Sequence, residues 1–384
     1  MTGKRLLAAF LGASLLLSGC GPAGGSQGAF DASSEENGKL KVAVTLFPYY
    51  DFVRQIAGDQ VDLQMVIPAG MDSHSFEPTP ADIRTIQHAD VLISNGGTME
   101  HWLEDTLGAL DTSNMTIVTM MDYVDTVEEE IVEGMEDAGH DHDHAHSHAA
   151  ADDHDHSHET PEEHAAHAQE ADDHDHSGET PEEHAAHAQE TDDHDHSDYV
   201  DHDGHEEAIE YDEHIWTSPV NAMKLVDVIG ETLAEADPAH EEVFRQGAAD
   251  YKKELEEIDA GFREVSRNRK RNMIVMGDKF PFRYLADEYQ LDYRAAFSGC
   301  SSDTEPSAKT IAYLIDKVKE EQIPVVYYLE LSSHRISEII GEETGAEPLL
   351  LHSCHNVTRA QFDAGITYAG LMRQNIENLR KGID

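Results

Sequence analysis

Between Met121 and His214 the chain carries no Lys or Arg, yet 18 of its 26 His fall there, from His140 to His205. The densest runs alternate His with Asp, Ala or Ser: His140, His142, His144, His146 and His148, then His154, His156 and His158, then His174 and His176, then His194 and His196. DDHDHS recurs at Asp152, Asp172 and Asp192, and ETPEEHAAHAQE at Glu159 and Glu179, an internal period of 20 residues. Neutral imidazole is the commonest protein ligand for zinc and also suits copper, nickel and cobalt, so this spacing offers many exchangeable, low-affinity sites. A packed repeat needs an apolar face for its neighbour, and apart from Pro161 and Pro181 the apolar side chains between Gly139 and Ser197 are all Ala. The tract is therefore expected to be a disordered, metal-collecting insert and not a solenoid. A solvated polyanionic linker is the alternative, but a linker needs charge without so much His.

The formal net charge of −52 is mostly local, since residues 128–213 hold 33 Asp and Glu and the rest of the chain carries −19. Nucleic acid is excluded as a partner by that sign. At the N-terminus, Lys4 and Arg5 precede an apolar stretch from Leu6 to Leu17 and then Leu17-Ser18-Gly19-Cys20. That is the pattern of a signal peptide ending in a lipobox, with Cys20 the lipid acceptor, and its apolar stretch is too short to span a bilayer. Residues 21–39, rich in Gly, Ser and Ala, read as a flexible tether. With Cys20 lipidated, Cys300 and Cys354 remain in an oxidising compartment, where they could pair or ligate metal.

The elements that must position any tighter site come from the remaining periodicity. Val42–Phe47, Val61–Ile67, Val91–Ser94 and Met115–Met120 read as strands, with helices over Tyr50–Ala57 and Pro80–His88. After the tract, Pro219 opens a long helical pattern that meets Asp237-Pro238, a kink or a boundary, and continues through Phe262. The rhythm then restarts with strands at Met273–Met276, Tyr293–Phe297, Val325–Leu329 and Pro348–Leu351, and helices at Tyr284–Glu288, Glu305–Glu320, Arg335–Glu342 and Arg359–Leu379. This βαβ order implies an α/β fold of two lobes, each a small parallel sheet flanked by helices, joined by a long helix. Two such lobes face each other across a cleft, and ligands of open α/β sheets bind beyond the carboxyl ends of the strands. The expected divisions are a leader over 1–19, lipidated Cys and tether over 20–38, a first lobe over 39–125 and the insert over 126–210. A ligand loop over 211–218, a linking helix over 219–270 and a second lobe over 271–384 complete the chain.

Distinctive residues gather at those strand ends. Gly70 to Asp82 reads GMDSHSFEPTPAD, where Pro78 and Pro80 fix a loop that holds the His74 ring in a set direction, and Asp212 to Pro219 reads DEHIWTSP. Both segments closely resemble the solute-binding lipoproteins of zinc and manganese ABC importers, the ZnuA/TroA-like family, whose motifs run roughly G-x-x-x-H-x-(Y/F)-E-P-T-P-x-D and D-x-H-x-W-x-S-P. The resemblance continues through Ala89-Asp90-Val91, Asn95 to Leu103 and Glu305-Pro306-Ser307, and covers residues 39–380, with an acidic His-rich insert where the zinc members have one.

Carried over residue by residue, the resemblance makes His74 and His214 the first two metal ligands, with Glu77 and Glu213 as supporting acceptors or rim charges. The family's third ligand is a His just after the first strand of the second lobe. An ungapped count from Tyr284-Leu285-Ala286 puts Lys279 in that slot, and a charged ammonium cannot ligate. Asp278 could supply an oxygen if the loop shifts by one residue. The family places an acidic ligand in the last strand-end loop, where this chain has His352, Cys354 and His355, with Cys300 after the second strand of that lobe. A thiolate or imidazole there would keep a zinc site rich in nitrogen and sulfur, whereas a Cys300–Cys354 disulfide would leave the imidazoles free. His88, His101, His240 and His334 read as surface residues.

The resemblance implies a lipid-anchored receptor on the extracellular face of the membrane that captures Zn2+, with Mn2+ the runner-up, and delivers it to an ABC importer permease. Two other classes compete with it. A surface adhesin or zinc buffer would work mainly through the His tract. A zinc hydrolase would need HExxH, and both His205-Glu206-Glu207 and His240-Glu241-Glu242 lack the second His.

Overall fold

The computed structural model describes Phe30, residues 38–135, 210–301 and 305–384. The expected leader, Cys20, most of the tether and the His tract lie outside the described residues.

Short β-branched and aliphatic runs form parallel strands because both their faces are covered by helices. In the first lobe β1 (Leu40–Val44), β2 (Val61–Met65), β3 (Val91–Ser94) and β4 (Thr116–Thr119) pair in parallel in the order β2-β1-β3-β4. In the second lobe β5 (Met273–Phe280), β6 (Asp292–Ser298), β7 (Val325–Tyr328) and β8 (Glu347–Leu350) repeat that pattern as β6-β5-β7-β8. Strand order reverses beside β1 and again beside β5, so the loops leaving these strands diverge and open a crevice at each sheet's carboxyl edge.

The helices are α1 (Phe47–Ala57), α2 (Pro80–Gln87), α3 (His101–Gly108), α4 (Pro219–Ala236), α5 (Glu241–Asn268), α6 (Arg283–Tyr289), α7 (Ala308–Glu320), α8 (Arg335–Thr344), α9 (Arg359–Asp363) and α10 (Tyr368–Ile383). Local chemistry fixes their starts. Thr79 and Asp82 form a capping box ahead of α2, and the Ser218 side chain accepts the Asn221 N–H with Pro219 at the first turn of α4. Ser307, the last residue of the Glu305-Pro306-Ser307 motif, caps α7 by accepting the Thr310 N–H.

Several boundaries differ from the sequence reading. The linking helix is two helices, α4 and α5, because the chain leaves helical geometry at Asp237 and Pro238 follows. The last helix divides into α9 and α10 around Gly365, whose φ of 72° ends the first piece. β5 runs on to Phe280 with a register shift between Met276 and Lys279. Gly277 sits in that irregularity, where an added Cβ would come within 2.5 Å of Ser337 Oγ, so only glycine lets α8 approach the strand so closely.

The segment assigned to the insert from residue 126 begins as a strap across the second lobe. The Val127 N–H donates to Tyr284 Oη at 3.3 Å, Glu129 accepts the Cys300 N–H at 2.9 Å, and Glu130 and Glu133 lie within ion-pair reach of Arg283 and Arg294. Glu128 bridges antiparallel to Tyr211, which closes the root of the insert. Among the described residues no helix is long and apolar enough to cross a membrane.

Candidate metal centre

His74, His214 and His355 reach the cleft from three different loops. His74 follows β2 in a 3-10 turn, Ser73–Ser75, whose backbone is set by Asp72 accepting the His74 N–H at 3.0 Å. His214 lies in the loop before α4. Asp212 Oδ1 accepts its backbone N–H at 2.8 Å and lies 3.1 Å from its Nδ1, so with Nδ1–H donated to that carboxylate, Nε2 remains as the ligand atom. His355 follows β8 and its Nε2 meets the Ser73 hydroxyl across the cleft.

Ring centroids of the three stand 5.8, 5.5 and 5.5 Å apart, and one ring nitrogen from each lies within 4.8 Å of the others. Zinc–nitrogen bonds of about 2.0–2.1 Å imply nitrogens roughly 3.3 Å apart in a tetrahedron, so small side-chain rotations bring three donors onto one ion. Among the described residues this is the only group of three such side chains close enough to share a metal.

The electrostatics favour neutral rings. Burial, then the neighbouring His214, brings the His74 imidazolium down to about 4. Burial, then His214 and His74 and then the Lys279 ammonium, holds His355 well below the usual imidazole range. Both rings therefore keep a lone pair for metal at neutral pH.

Bridges between the lobes hold the cleft in register. Trp216, buried below the triad, donates Nε1–H to the Ser353 carbonyl at 2.8 Å. Asn356 donates to the Pro68 and Met71 carbonyls at 2.9 and 2.7 Å, and Tyr284 and Tyr368 donate to the Asp212 and Trp216 carbonyls at 2.7 and 2.6 Å. The last strand-end loop is thus tied to the loop that carries His74.

The other residues singled out from the sequence lie apart from the three rings. His352 points back into the second lobe, where its N–H donates to Asn375 at 2.8 Å and its Nδ1 accepts the Cys354 N–H at 3.0 Å. Cys354 adopts a left-handed backbone, φ 61°, and its buried thiol faces the His352 carbonyl at 3.7 Å. That single left-handed residue turns the chain so that His355, two positions beyond Ser353, faces the cleft. Cys300 packs at the strap, both cysteines are free thiols, and burial pushes both thiols up, further raised at Cys300 by Asp212 and Glu129 and at Cys354 by Glu330. Asp278 lines the cleft but accepts the Lys279 and Leu329 N–H groups at 2.9 and 3.4 Å.

Glu77 is exposed, while buried Glu213 accepts the Thr98 hydroxyl at 2.8 Å and the Met99 N–H at 2.7 Å, pinning the turn before α3. Sequence reading missed Asp212 as the carboxylate that orients His214, and Ser73 as the partner of His355. The Asp-x-His spacing was the available signal for the first; the second joins residues 282 positions apart and has none. His334, expected on the surface, stacks on Tyr328 at 4.0 Å and lines the cleft, as does Lys279. His88 and His101 are exposed.

Two parallel-sheet lobes with a tri-imidazole cluster in the crevice between them define a metal receptor. Residues 42–382 match the family described as zinc-uptake complex component A, periplasmic, and the chain belongs to that family. It is thus a zinc-binding component of an uptake system and not an enzyme. The chain is 26% identical to the high-affinity zinc uptake system protein ZnuA of Bacillus subtilis, over 96% of this chain and 94% of that protein. It is 30% identical to zinc-binding protein AdcA of Streptococcus pyogenes over 90% of its own length, but spans only 56% of AdcA. Its fold is that of the metal-dependent lipoprotein YcdH of B. subtilis, at a TM-score of 0.63 and 24% identity over 90% of this chain and 100% of that one. The Zn(II)-bound ZnuA-like domain of Streptococcus pneumoniae AdcA superposes at a TM-score of 0.61, with 24% identity over 90% and 99% of the two chains.

Proposed function

We propose that this protein is the lipid-anchored receptor of a zinc importer, which holds one Zn2+ tightly between His74, His214 and His355 and delivers it to an ABC permease. The observation that supports this reading is the convergence of three ring nitrogens within 4.8 Å in an interlobe cleft, two of the rings strongly biased toward the neutral form. Zinc prefers imidazole nitrogen in tetrahedral sites, and three protein ligands with one open position suit a cargo that must later leave. Asp212 plays the part of the outer carboxylate that fixes the tautomer of a ligating His. The Cys20 lipid would keep the receptor at the outer membrane surface, and the His tract would raise the local zinc concentration by tethered, exchangeable binding.

Anomalous scattering from zinc-loaded crystals, recorded above and below the zinc edge, tests the assignment. The strongest peak is expected among the three rings; a peak at His352 and Cys354 with none in the cleft would refute it.

A further inference from the structure

The cleft is larger than one cation needs, and two cationic side chains line it beside its carboxylates. Its cavity measures about 450 Å3, whereas a water-sized occupant takes roughly 30 Å3. Its lining includes Lys279, whose positive charge reaches both His74 and His355, and exposed Arg335 at the rim. Among the described residues neither cation has a side-chain hydrogen bond or ion pair.

The nearby carboxylates are committed elsewhere. Asp72 accepts the His74 N–H at 3.0 Å, Asp278 accepts two backbone N–H groups, Glu330 accepts the Ser353 N–H at 2.8 Å and sits 3.4 Å from His352 Nδ1, and Asp212 holds His214. Three imidazole rings thus supply three donors to an ion that takes four, and loading would place two further positive charges beside an unpaired ammonium. An anion with one oxygen for the metal and another for Lys279 resolves both problems at once, through charge-assisted hydrogen bonds.

We propose that the cleft takes its metal together with a small carboxylate anion, which completes the coordination of the ion and is held by Lys279, with Arg335 closing over it at the rim. This inference rests on the three-histidine zinc site above. It makes Lys279 a determinant of which zinc species is captured, a carboxylate complex in preference to the hydrated ion.

Equilibrium dialysis of radiolabelled malonate against the full chain, in chloride-free buffer with and without one equivalent of Zn2+, tests it. The wild-type protein is expected to retain about one malonate per chain only when zinc is present, as one open coordination position requires. Lys279→Met should weaken that retention by roughly tenfold or more while Lys279→Arg keeps it, the scale of a charge-assisted contact. The His74→Ala, His214→Ala double variant reports malonate carried by zinc on the His tract alone. Retention in Lys279→Met equal to wild type, or wild-type retention no greater than in that double variant, overturns the proposal. Displacement of malonate by equimolar chloride overturns the choice of a carboxylate. Tight zinc binding that survives in the double variant instead overturns the three-histidine site itself, so the two failures are told apart.

Discussion

His355 decides whether the centre is a three-ligand site or a pair of histidines with no third partner. Its ring faces His74 and His214 at equal centroid distances of 5.5 Å, while His352 and Cys354 on the same loop face inward. Replacing His355 by Ala should therefore weaken the tight site by at least roughly tenfold, as should His74→Ala or His214→Ala, because each removes one of about four donors. His352→Ala should leave zinc affinity unchanged and lower stability instead, since that ring organises the loop from within. Chelator competition on the four variants measures this; an affinity that follows His352 and ignores His355 would reverse the assignment. Alkylation gives an independent reading of the thiols. Cys354 is buried and its thiol is pushed up, so it should react slowly and at the same rate with and without zinc. Zinc-dependent protection of Cys354, read by peptide mass spectrometry, would place sulfur in the coordination shell.

At the scale of elements, the loop after β8 is clamped to the loop after β2 by one side chain. Asn356 is 5% exposed and its amide donates to two carbonyls of the His74 loop. Asn356→Ala would strand both carbonyls and is expected to cost about 1–3 kcal/mol of stability. It should also weaken zinc binding severalfold without removing a ligand, because His74 and His355 are held together through that contact. Thermal melting and zinc titration of the variant check both effects, and wild-type affinity in a destabilised protein would show that the loops are positioned otherwise. The same region shows where sequence reading reaches its limit. The strands, the helix starts at Pro80 and Pro219, and the His74 and His214 loops were legible because turn chemistry and apolar periodicity are local. The choice among His352, Cys354 and His355 was not, since it turns on one left-handed residue, Cys354, whose side chain gives no sign of it. Nor was the strap over residues 126–135, whose acidic composition resembles the tract it precedes while its contacts are with Tyr284, Cys300, Arg283 and Arg294.

For the whole molecule, pH should separate the two kinds of zinc site. Histidines of ordinary exposure titrate near 6.5, so the tract from His140 to His205 should release zinc as pH falls from about 7.5 to about 5.5. In the cleft His74 titrates at about 4 and His355 is held well below the usual range, so protons compete for these two rings only at lower pH. The sign for folding is the same. Above about 6.5 both folded and unfolded chains hold these rings neutral and they contribute no pH dependence; between about 6.5 and about 4 the unfolded chain binds the extra protons, so apo stability falls with pH across that window. Zinc bound per chain, measured by dialysis of the full-length protein, should drop from several at about pH 7.5 to about one at about pH 5.5, with the last ion lost on replacing His355 by Ala. If the final equivalent leaves in step with the others, or remains in the His355→Ala variant, the cleft holds no site distinct from the tract, and zinc capture by this protein is a property of its histidine-rich insert.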